Sequence, residues 1–351
     1  MKKFISLLLA LIMSLSLVAC GGNDAAKEEA PADDAATEET TDTAAEPEFI
    51  FKLGHAIQEE TSTHRALLIF KEEVEKNSNG RISVEIYPNA ALGNERTMTE
   101  AVQMGTLEMV TPGCFTVANF APSVDVLSLP FLFPDAETAR TALAGEFGDM
   151  AGADLADANM VCLAWLENGI RYISNNKHPI NTPDDMKDLK LRTVENEIQM
   201  SFFRMLGASP TPMSYTELFT GLQQGTVDAQ ENAMFLIQSS RFEEVTDYLT
   251  LTAHSYCAVP LLMNKALFDS VPADLQTVLK DAAVVARDAQ FAMCDEDNAS
   301  ALEYLSTKME VNEITPENMQ KFIEITAPAY DEARAKLGDE LVDAALAFQS
   351  K

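Results

Sequence analysis

Hydrophobic and polar positions follow the period of a β-strand in some segments of the chain and the period of an α-helix in others. Residues 48–54 are rich in aromatic and β-branched side chains, which is typical of a β-strand. Residues 61–77 carry apolar side chains at helical spacing, and Gly80 ends that helix. The alternation over residues 81–87 predicts a second strand. A strand, a helix and a strand in succession indicate a parallel sheet.

A helix end, a glycine and a new strand follow one another in two distant segments, residues 100–108 and residues 221–228. This repetition suggests two lobes that are built alike. Further elements are predicted as strands at 161–167 and 189–194, a helix start at Thr182-Pro183, and helices at 198–206, 215–223, about 272–309 and 315–348.

Strands and helices thus alternate in two sets, which predicts an α/β fold with two lobes and a long helix that spans both. We expect one lobe to comprise residues 49–168 and 258–297, and the other to comprise residues 169–257 and 298–351. Such folds bind ligands at the carboxyl ends of strands and in the cleft between lobes.

The amino terminus has the features of an export signal. Lys2 and Lys3 precede an apolar run, residues 4–18, that is short and ends at small residues. Leu17-Val18-Ala19-Cys20 resembles the lipobox of bacterial lipoproteins, which implies that residues 1–20 are a lipoprotein signal and that Cys20 is diacylated. Ordinary signal-peptidase cleavage beside an incidental cysteine is the alternative.

Residues 21–48 differ in composition from the rest of the chain. They are rich in Ala, Thr, Asp, Glu and Pro, and Lys27 is their only cation. Such a segment buries too little apolar surface to fold, and its charges keep it extended. We expect a disordered acidic tether, with a partner-binding acidic tail as the alternative.

The formal charge of -30 argues against binding to nucleic acid or to anionic lipid, because both require clustered Lys and Arg. An acidic protein that binds an anion must concentrate positive charge locally. Beyond the export signal no apolar run approaches the roughly 20 residues of a membrane-spanning helix. We therefore expect the remainder to be water-soluble.

Motifs of enzymes and metal sites are not evident. No nucleophile elbow, phosphate loop, dinucleotide fingerprint or zinc helix occurs, and the four histidines are scattered. Cysteines 114, 162, 257 and 294 are far apart without metal-ligand spacing, so either disulfides or free buried thiols are compatible with them. We expect no enzyme, cofactor or metal, although a catalytic triad that assembles only in the folded chain remains the alternative.

Polar side chains follow several predicted strands, at residues 168–171 and 230–232, and Arg192 lies inside an apolar strand. A buried arginine is costly unless an anion pairs with it. Its planar guanidinium matches a carboxylate with two hydrogen bonds. Arg192 is therefore a candidate for a carboxylate ligand, with a structural ion pair as the alternative.

At these residues the chain resembles a known family. Residues 189–192, 206–213 and 222–232 are similar to the extracytoplasmic solute receptors of tripartite ATP-independent periplasmic (TRAP) transporters, of the dicarboxylate-receptor (DctP) type. The similarity extends over residues 49 to about 348, and Asp228-Ala229 departs from the usual Asp-Gly. It implies a periplasmic-binding-protein-like fold that closes around its ligand.

The resemblance also implies roles for individual residues. Arg192 matches the arginine that fixes the ligand carboxylate, and Asn232 matches the asparagine that shares it. Arg171 matches a second arginine of the cleft, and Tyr215 matches an aromatic wall. Glu195 stands where relatives have Asn, Gln or Ser, which favours hydroxylated monoacids such as uronates or aldonates over C4-dicarboxylates.

His55, Asn94 and Glu95 match residues of the first lobe that meet the far end of the ligand, with surface or capping roles as the alternative. Trp165 is either a core residue or a platform for a sugar face. The resemblance implies two partners, the small and large integral membrane subunits of a TRAP transporter, and uptake driven by an ion gradient. Alternative roles are a sensor, an enzyme and a structural surface lipoprotein.

Overall fold

The computed structural model describes residues 46–349. The predicted signal and lipobox, with Cys20, and most of the predicted tether lie outside the described residues. Among residues 46–349, no helix has the length and apolar character that crossing a bilayer requires.

Within the described residues, nine strands form one sheet with the order β2-β1-β3-β8-β4-β7-β5-β6, and β9 pairs with β8. The strands are β1 (Phe49–Gly54), β2 (Ile82–Tyr87), β3 (Met109–Val110), β4 (Met160–Asn175), β5 (Lys190–Thr193), β6 (Ser209–Pro212), β7 (Ala229–Asn232), β8 (Tyr248–Asn264) and β9 (Glu310–Glu313).

Thirteen α-helices lie among residues 46–349. They are α1 (Ser62–Asn77), α2 (Glu95–Met104), α3 (Cys114–Val117), α4 (Ala136–Leu143), α5 (Glu146–Ala151), α6 (Glu197–Met205), α7 (Tyr215–Gln223), α8 (Met234–Ser239), α9 (Lys265–Ser270), α10 (Ala273–Leu305), α11 (Pro316–Thr326), α12 (Pro328–Leu337) and α13 (Asp339–Leu346). Short 3-10 helices occupy Pro122–Ser128, Ala153–Leu155, Pro183–Met186 and Phe242–Glu244.

Two groups of parallel strands lie on either side of two long antiparallel strands. The first group is β1, β2 and β3, in which β1 pairs in parallel with both neighbours. The second group is β5, β6 and β7, in which β5 pairs in parallel with both neighbours. Strands β4 and β8 pair with each other along most of their length and connect the groups. The predicted strand-helix-strand unit and the two-lobed α/β fold are confirmed.

Each strand group has its own hydrophobic core. The core of the first group contains Phe51 and Phe70, whereas separate clusters around the second group contain Phe202 and Phe235. Helix α10 buries its amino-terminal half in the first core, and its carboxyl-terminal half, including Leu305, in the second. The long helix therefore spans both lobes, as predicted.

The boundaries of the lobes stay a prediction, and the carboxyl-terminal helices show why sequence order does not fix them. Helix α13 buries Val342 and Ala345 in the first core, although residues 298–351 were assigned to the other lobe. Helix α11 in contrast buries Phe322 in a core of the second group. An apolar helix face packs against any complementary apolar surface, and helix α13 packs against the first core.

Two predicted strand ends were wrong. Residues 168–171 do not follow a strand but lie inside β4, which continues to Asn175 because β8 offers backbone partners along its whole length. Register shifts at Glu167/Gly169 mark β-bulges, and Gly169 has a φ of +84°, which favours glycine. Residues 230–232 likewise belong to β7 itself, where all three side chains are buried.

Candidate functional site

A cleft lies between the two strand groups. Its outer cavity of about 400 Å³ is lined from the first group by α2 and α3 and from the second group by β5, α7 and the segments after β5 and β6. A smaller inner cavity continues toward β4 and β7. Both cavities are lined by Glu95, Thr116, Arg192, Val194 and Tyr215.

Arg192 lies in β5 with 2% of its surface exposed. Its Nε donates a hydrogen bond to the Met213 carbonyl oxygen at 2.9 Å, and no carboxylate of residues 46–349 forms an ion pair with it. Burial lowers the pKa of Arg192 to about 10, and the charge of Glu231 opposes this change more strongly than the charge of Arg171 adds to it. A buried guanidinium without an anion is unfavourable, and a ligand carboxylate would remove that penalty.

Arg171, in contrast, already has an anionic partner. Its Nη2 donates to Glu231 Oε1 at 2.7 Å and to the Glu231 carbonyl oxygen at 2.6 Å, and its Nε donates to Glu231 Oε2 at 2.5 Å. Burial opposes ionisation of Glu231, but the Arg171 charge outweighs it and holds the pKa at about 2. Arg171 therefore lines the inner cavity with its charge neutralised.

His254 supports this pair from β8. Its Nε2 lies 3.3 Å from Glu231 Oε2, and its Nδ1 lies 2.7 Å from Thr252 Oγ1. Burial lowers the pKa of His254. A neutral ring that donates from Nε2 to Glu231 and accepts at Nδ1 from Thr252 satisfies all three groups. The hydrogen bonds from Thr252 to His254 and from His254 to Glu231 hold the carboxylate that orients Arg171.

Asn232 and Tyr215 complete the wall around Arg192. Asn232 is 2% exposed, lines the inner cavity and donates from Nδ2 to Gln230 Oε1 at 2.7 Å. The Tyr215 hydroxyl is hydrogen-bonded to Ser240 Oγ, and its ring meets Phe242 edge-on at 6.0 Å between centroids. Burial raises the pKa of Tyr215 to about 12. The ring is thus held in place as a neutral surface of the cleft.

Asn94 and Glu95 face the cleft from the start of α2. Asn94 Oδ1 caps the helix by accepting from the Thr97 amide at 2.9 Å, while the residue lines the outer cavity. Glu95 lines both cavities and accepts from Thr116 Oγ1 at 3.0 Å. Burial raises the pKa of Glu95, and Arg192 opposes that change. Among the residues that line both cavities, Glu95 is the acidic one.

Glu195 occupies the rim of the outer cavity, and 61% of its side chain is exposed. Its carboxylate pairs with Arg96 of α2 instead of facing the inner cavity. His55 lies outside both linings: it is fully buried, and its Nε2 is 2.9 Å from His64 Nδ1. Trp165 packs against the first core beside a separate surface cavity.

Several residues of the site were missed at the sequence level. Arg96 and Asn119 line the outer cavity, and Glu231 neutralises Arg171. Arg96 belongs to an exposed helix face, where charged residues are common, so its sequence context carries no signal. The polar run 230–232 did contain a signal, because three polar residues in a short strand require buried partners. The four cysteines of the described residues are free, and Cys257 lines the inner cavity.

Residues 53–336 match the model of a protein family described as bacterial extracellular solute-binding protein, family 7 (DctP). The chain is 33% identical over 252 residues to the 2,3-diketo-L-gulonate-binding periplasmic protein YiaO of Escherichia coli, covering 72% of this chain and 77% of that protein. It is 31% identical over 306 residues to the C4-dicarboxylate-binding periplasmic protein DctP of Rhodobacter capsulatus, covering 86% of this chain and 90% of that protein.

A similar solved structure is the sugar acid binding protein of Advenella mimigardefordensis in complex with galactonate. It superimposes with a TM-score of 0.84 at 34% identity and covers 87% of this chain and 98% of that chain. All three relatives are described as binding proteins for small acids, and two of them as periplasmic. The chain therefore belongs to the family 7 bacterial extracellular solute-binding proteins, the dicarboxylate-receptor type of TRAP transporter receptors.

Proposed function

We propose that the protein is a lipid-anchored receptor that captures a hydroxylated monocarboxylate, such as an aldonate or uronate, and delivers it to TRAP membrane subunits. The observation that carries the proposal is Arg192, a buried guanidinium in the cleft without a carboxylate partner. A ligand carboxylate supplies that partner with matching geometry.

The charges of the cleft favour one ligand carboxylate over two. Arg171 is neutralised by Glu231, so Arg192 is the cation of the inner cavity that remains available. A second carboxylate on a short ligand would approach Glu95, and two like charges at short distance repel each other. A hydroxyl group at that place would instead donate a hydrogen bond to the Glu95 carboxylate. This assigns to Glu95 the role that the sequence analysis gave to Glu195.

The ligands named for the relatives agree with this choice in part. Galactonate and 2,3-diketo-L-gulonate, bound by two of them, each carry one carboxylate and several oxygen substituents. The Rhodobacter capsulatus relative binds C4-dicarboxylates, and that class is the second candidate. The presence of Glu95 beside Arg192 favours the first class.

Anchoring and delivery rest on the sequence and on family membership. Cys20 within Leu17-Val18-Ala19-Cys20 supplies the site for a diacylglyceryl group, and residues 21–48 supply a tether. In the proposed role the receptor does no chemistry on its ligand. A receptor that instead feeds a signalling protein is the alternative, and deletion of the membrane subunits separates the two because it abolishes uptake only in the transport case.

Replacement of Cys20 by Ala tests the anchor. We expect the wild-type protein to incorporate a labelled fatty acid and Cys20→Ala to incorporate none. Equal labelling of the two proteins would contradict the lipid anchor.

A thermal-shift and calorimetry panel tests the ligand class. Purified protein, freed of copurified ligand by unfolding and refolding, is mixed with D-galactonate, D-glucuronate, D-erythronate and succinate. A ligand at about 100 times its dissociation constant adds about 2.7 kcal/mol of stability. We expect a shift with at least one hydroxy acid and none with succinate. A shift with succinate alone would establish the dicarboxylate class.

Glu95→Gln refines this test. Glutamine keeps the size of the side chain and one carbonyl acceptor but removes the negative charge. We expect the variant to bind hydroxy acids more weakly and to gain affinity for succinate. Glu197→Gln is the matched control, because Glu197 is an exposed residue that pairs with Arg204 away from the cleft. Equal effects of both substitutions would contradict the role of Glu95.

A further inference from the structure

The rim of the cleft carries an ion pair that joins the two sides. Arg96 projects from α2, which packs beside β3 in the first group, and its Nη1 donates to Glu195 Oε2. Glu195 lies in the short segment between β5 and α6 of the second group. The two residues are separated by 99 positions in sequence, and both line the outer cavity.

Neighbouring contacts orient both partners. Arg96 Nε donates to Glu100 Oε1 at 3.1 Å on the same helix, which leaves Nη1 directed toward Glu195. Asn119 Nδ2, after α3, donates to the Glu195 carbonyl oxygen at 2.7 Å. The segment that carries Glu195 is therefore held from the first group through its side chain and through its backbone.

The next residue strengthens the same connection. Asn196 is buried, and its Nδ2 donates to Asp125 Oδ1 at 2.7 Å and to Ser128 Oγ at 3.0 Å, both in the 3-10 helix Pro122–Ser128. Its Oδ1 caps α6 by accepting from the Gln199 amide at 2.8 Å. The segment between β5 and α6 thus makes side-chain and backbone contacts across the cleft at two successive positions.

This arrangement matters for ligand exchange. Arg192 lines the outer cavity but is only 2% exposed, so separation of the two sides widens the access of a ligand to its guanidinium. We infer that Arg96 and Glu195 form an ion-pair clasp, which holds the rim of the cleft closed and slows the release of bound ligand. The clasp stabilises the closed state of the protein and does not contact the ligand. Its effect on ligand release rests on the proposed function of the cleft.

The expected size of the effect follows from exposure. The side chains of Arg96 and Glu195 are 49% and 61% exposed, so solvent screens their attraction. Exposed ion pairs change an equilibrium by about twofold to fivefold, and their effect declines with salt. The clasp is therefore a modest and salt-sensitive control on residence time, whereas Arg192 supplies the main affinity.

Dissociation kinetics test the clasp with Arg96→Gln, Glu195→Gln and the double variant. With D-galactonate as the probe, we expect each single substitution to raise koff about twofold to fivefold. The double variant should show no further increase, because both substitutions remove one interaction. High salt should raise koff of the wild type and leave koff of the variants nearly unchanged. Glu197→Gln, which removes the same charge two residues away, should leave koff unchanged.

The signs of these effects separate the clasp from electrostatic steering. In steering, Arg96→Gln slows and Glu195→Gln speeds the association of an anion, with koff unchanged. In the clasp, both substitutions raise koff. Unchanged koff in both variants, or additive effects in the double variant, would overturn the inference.

A second measurement does not depend on the ligand. Small-angle X-ray scattering of ligand-free protein reports the ratio of open to closed forms through the radius of gyration. We expect Arg96→Gln and Glu195→Gln to raise that ratio about twofold to fivefold, and Glu197→Gln to leave it unchanged. If no acid of the panel binds the wild type, the proposed ligand class is wrong. The scattering measurement still tests the clasp in that case, because it uses ligand-free protein. An unaltered ratio in both variants would then overturn it.

Discussion

Replacement of Arg192 by Met separates the cost of the buried charge from its use in binding. Methionine is also long and unbranched, so it fills the space along β5 without a guanidinium. For the ligand-free protein we expect no loss of stability, which is unusual for a buried arginine. For a carboxylate ligand we expect a large loss of affinity.

The magnitudes follow from the surroundings of Arg192. The fall of its pKa from the ordinary 12.5 to about 10 corresponds to roughly 3 kcal/mol of unfavourable free energy for the charged form in the folded state. Substitution removes this penalty and also removes the hydrogen bond to Met213, which as a bond from a charged donor contributes about 1.5–3 kcal/mol. The ligand-free variant should therefore be equally stable or up to about 1.5 kcal/mol more stable.

Binding should change far more. Loss of one partner of a buried, hydrogen-bonded charge pair costs about 2–5 kcal/mol, which raises the dissociation constant roughly 30- to 4,000-fold. Arg192→Lys should also bind weakly, because an ammonium group cannot make the paired hydrogen bonds of a guanidinium.

Urea unfolding of ligand-free protein and calorimetry with D-galactonate measure the two effects separately. Arg204→Met is the control, since Arg204 lies on α6 and pairs with exposed Glu197. A loss of more than about 2 kcal/mol of stability in Arg192→Met would show that Arg192 has a structural partner, because broken buried ion pairs cost about 3–5 kcal/mol. Unaltered affinity would refute the role of Arg192 as the carboxylate anchor.

Two further predictions concern buried polar groups. Glu231→Gln leaves Arg171 charged and unpaired, so we expect the free energy of unfolding in urea to fall by about 3–5 kcal/mol. A fall of less than about 1 kcal/mol would contradict a structural ion pair. Burial, then the neighbouring His64, lowers the pKa of His55 to about 4, so between about pH 6.5 and pH 4 the unfolded chain binds a proton that the folded protein excludes. Stability should fall by up to roughly 3 kcal/mol as the pH drops through this range, and His55→Gln should show a flatter profile. Parallel profiles of the two proteins would exclude His55 as the cause.

Local sequence patterns determined much of the architecture. Apolar spacing predicts α7 with the bounds that the structure shows, Tyr215–Gln223. Gly105, in the left-handed conformation, ends α2 as the pattern requires. These features depend on residues within one or two turns of each other, so a single sequence contains the necessary information. The expected burial of Arg192 follows in the same way from the apolar residues that flank it.

The tertiary structure decided which charged groups remain available to a ligand. Arg171 and Arg192 are both arginines near polar strand residues, yet Arg171 is neutralised by Glu231, which lies 60 positions away, and Arg192 is not. Glu195 pairs with Arg96, which lies 99 positions away in sequence, whereas Glu95 lines the inner cavity. Such pairings follow from the arrangement of β4 beside β7 and of α2 opposite the end of β5. Sequence determined which residues can carry the chemistry, and the long-range packing determined which of them line the cleft without an ion-pair partner among the described residues.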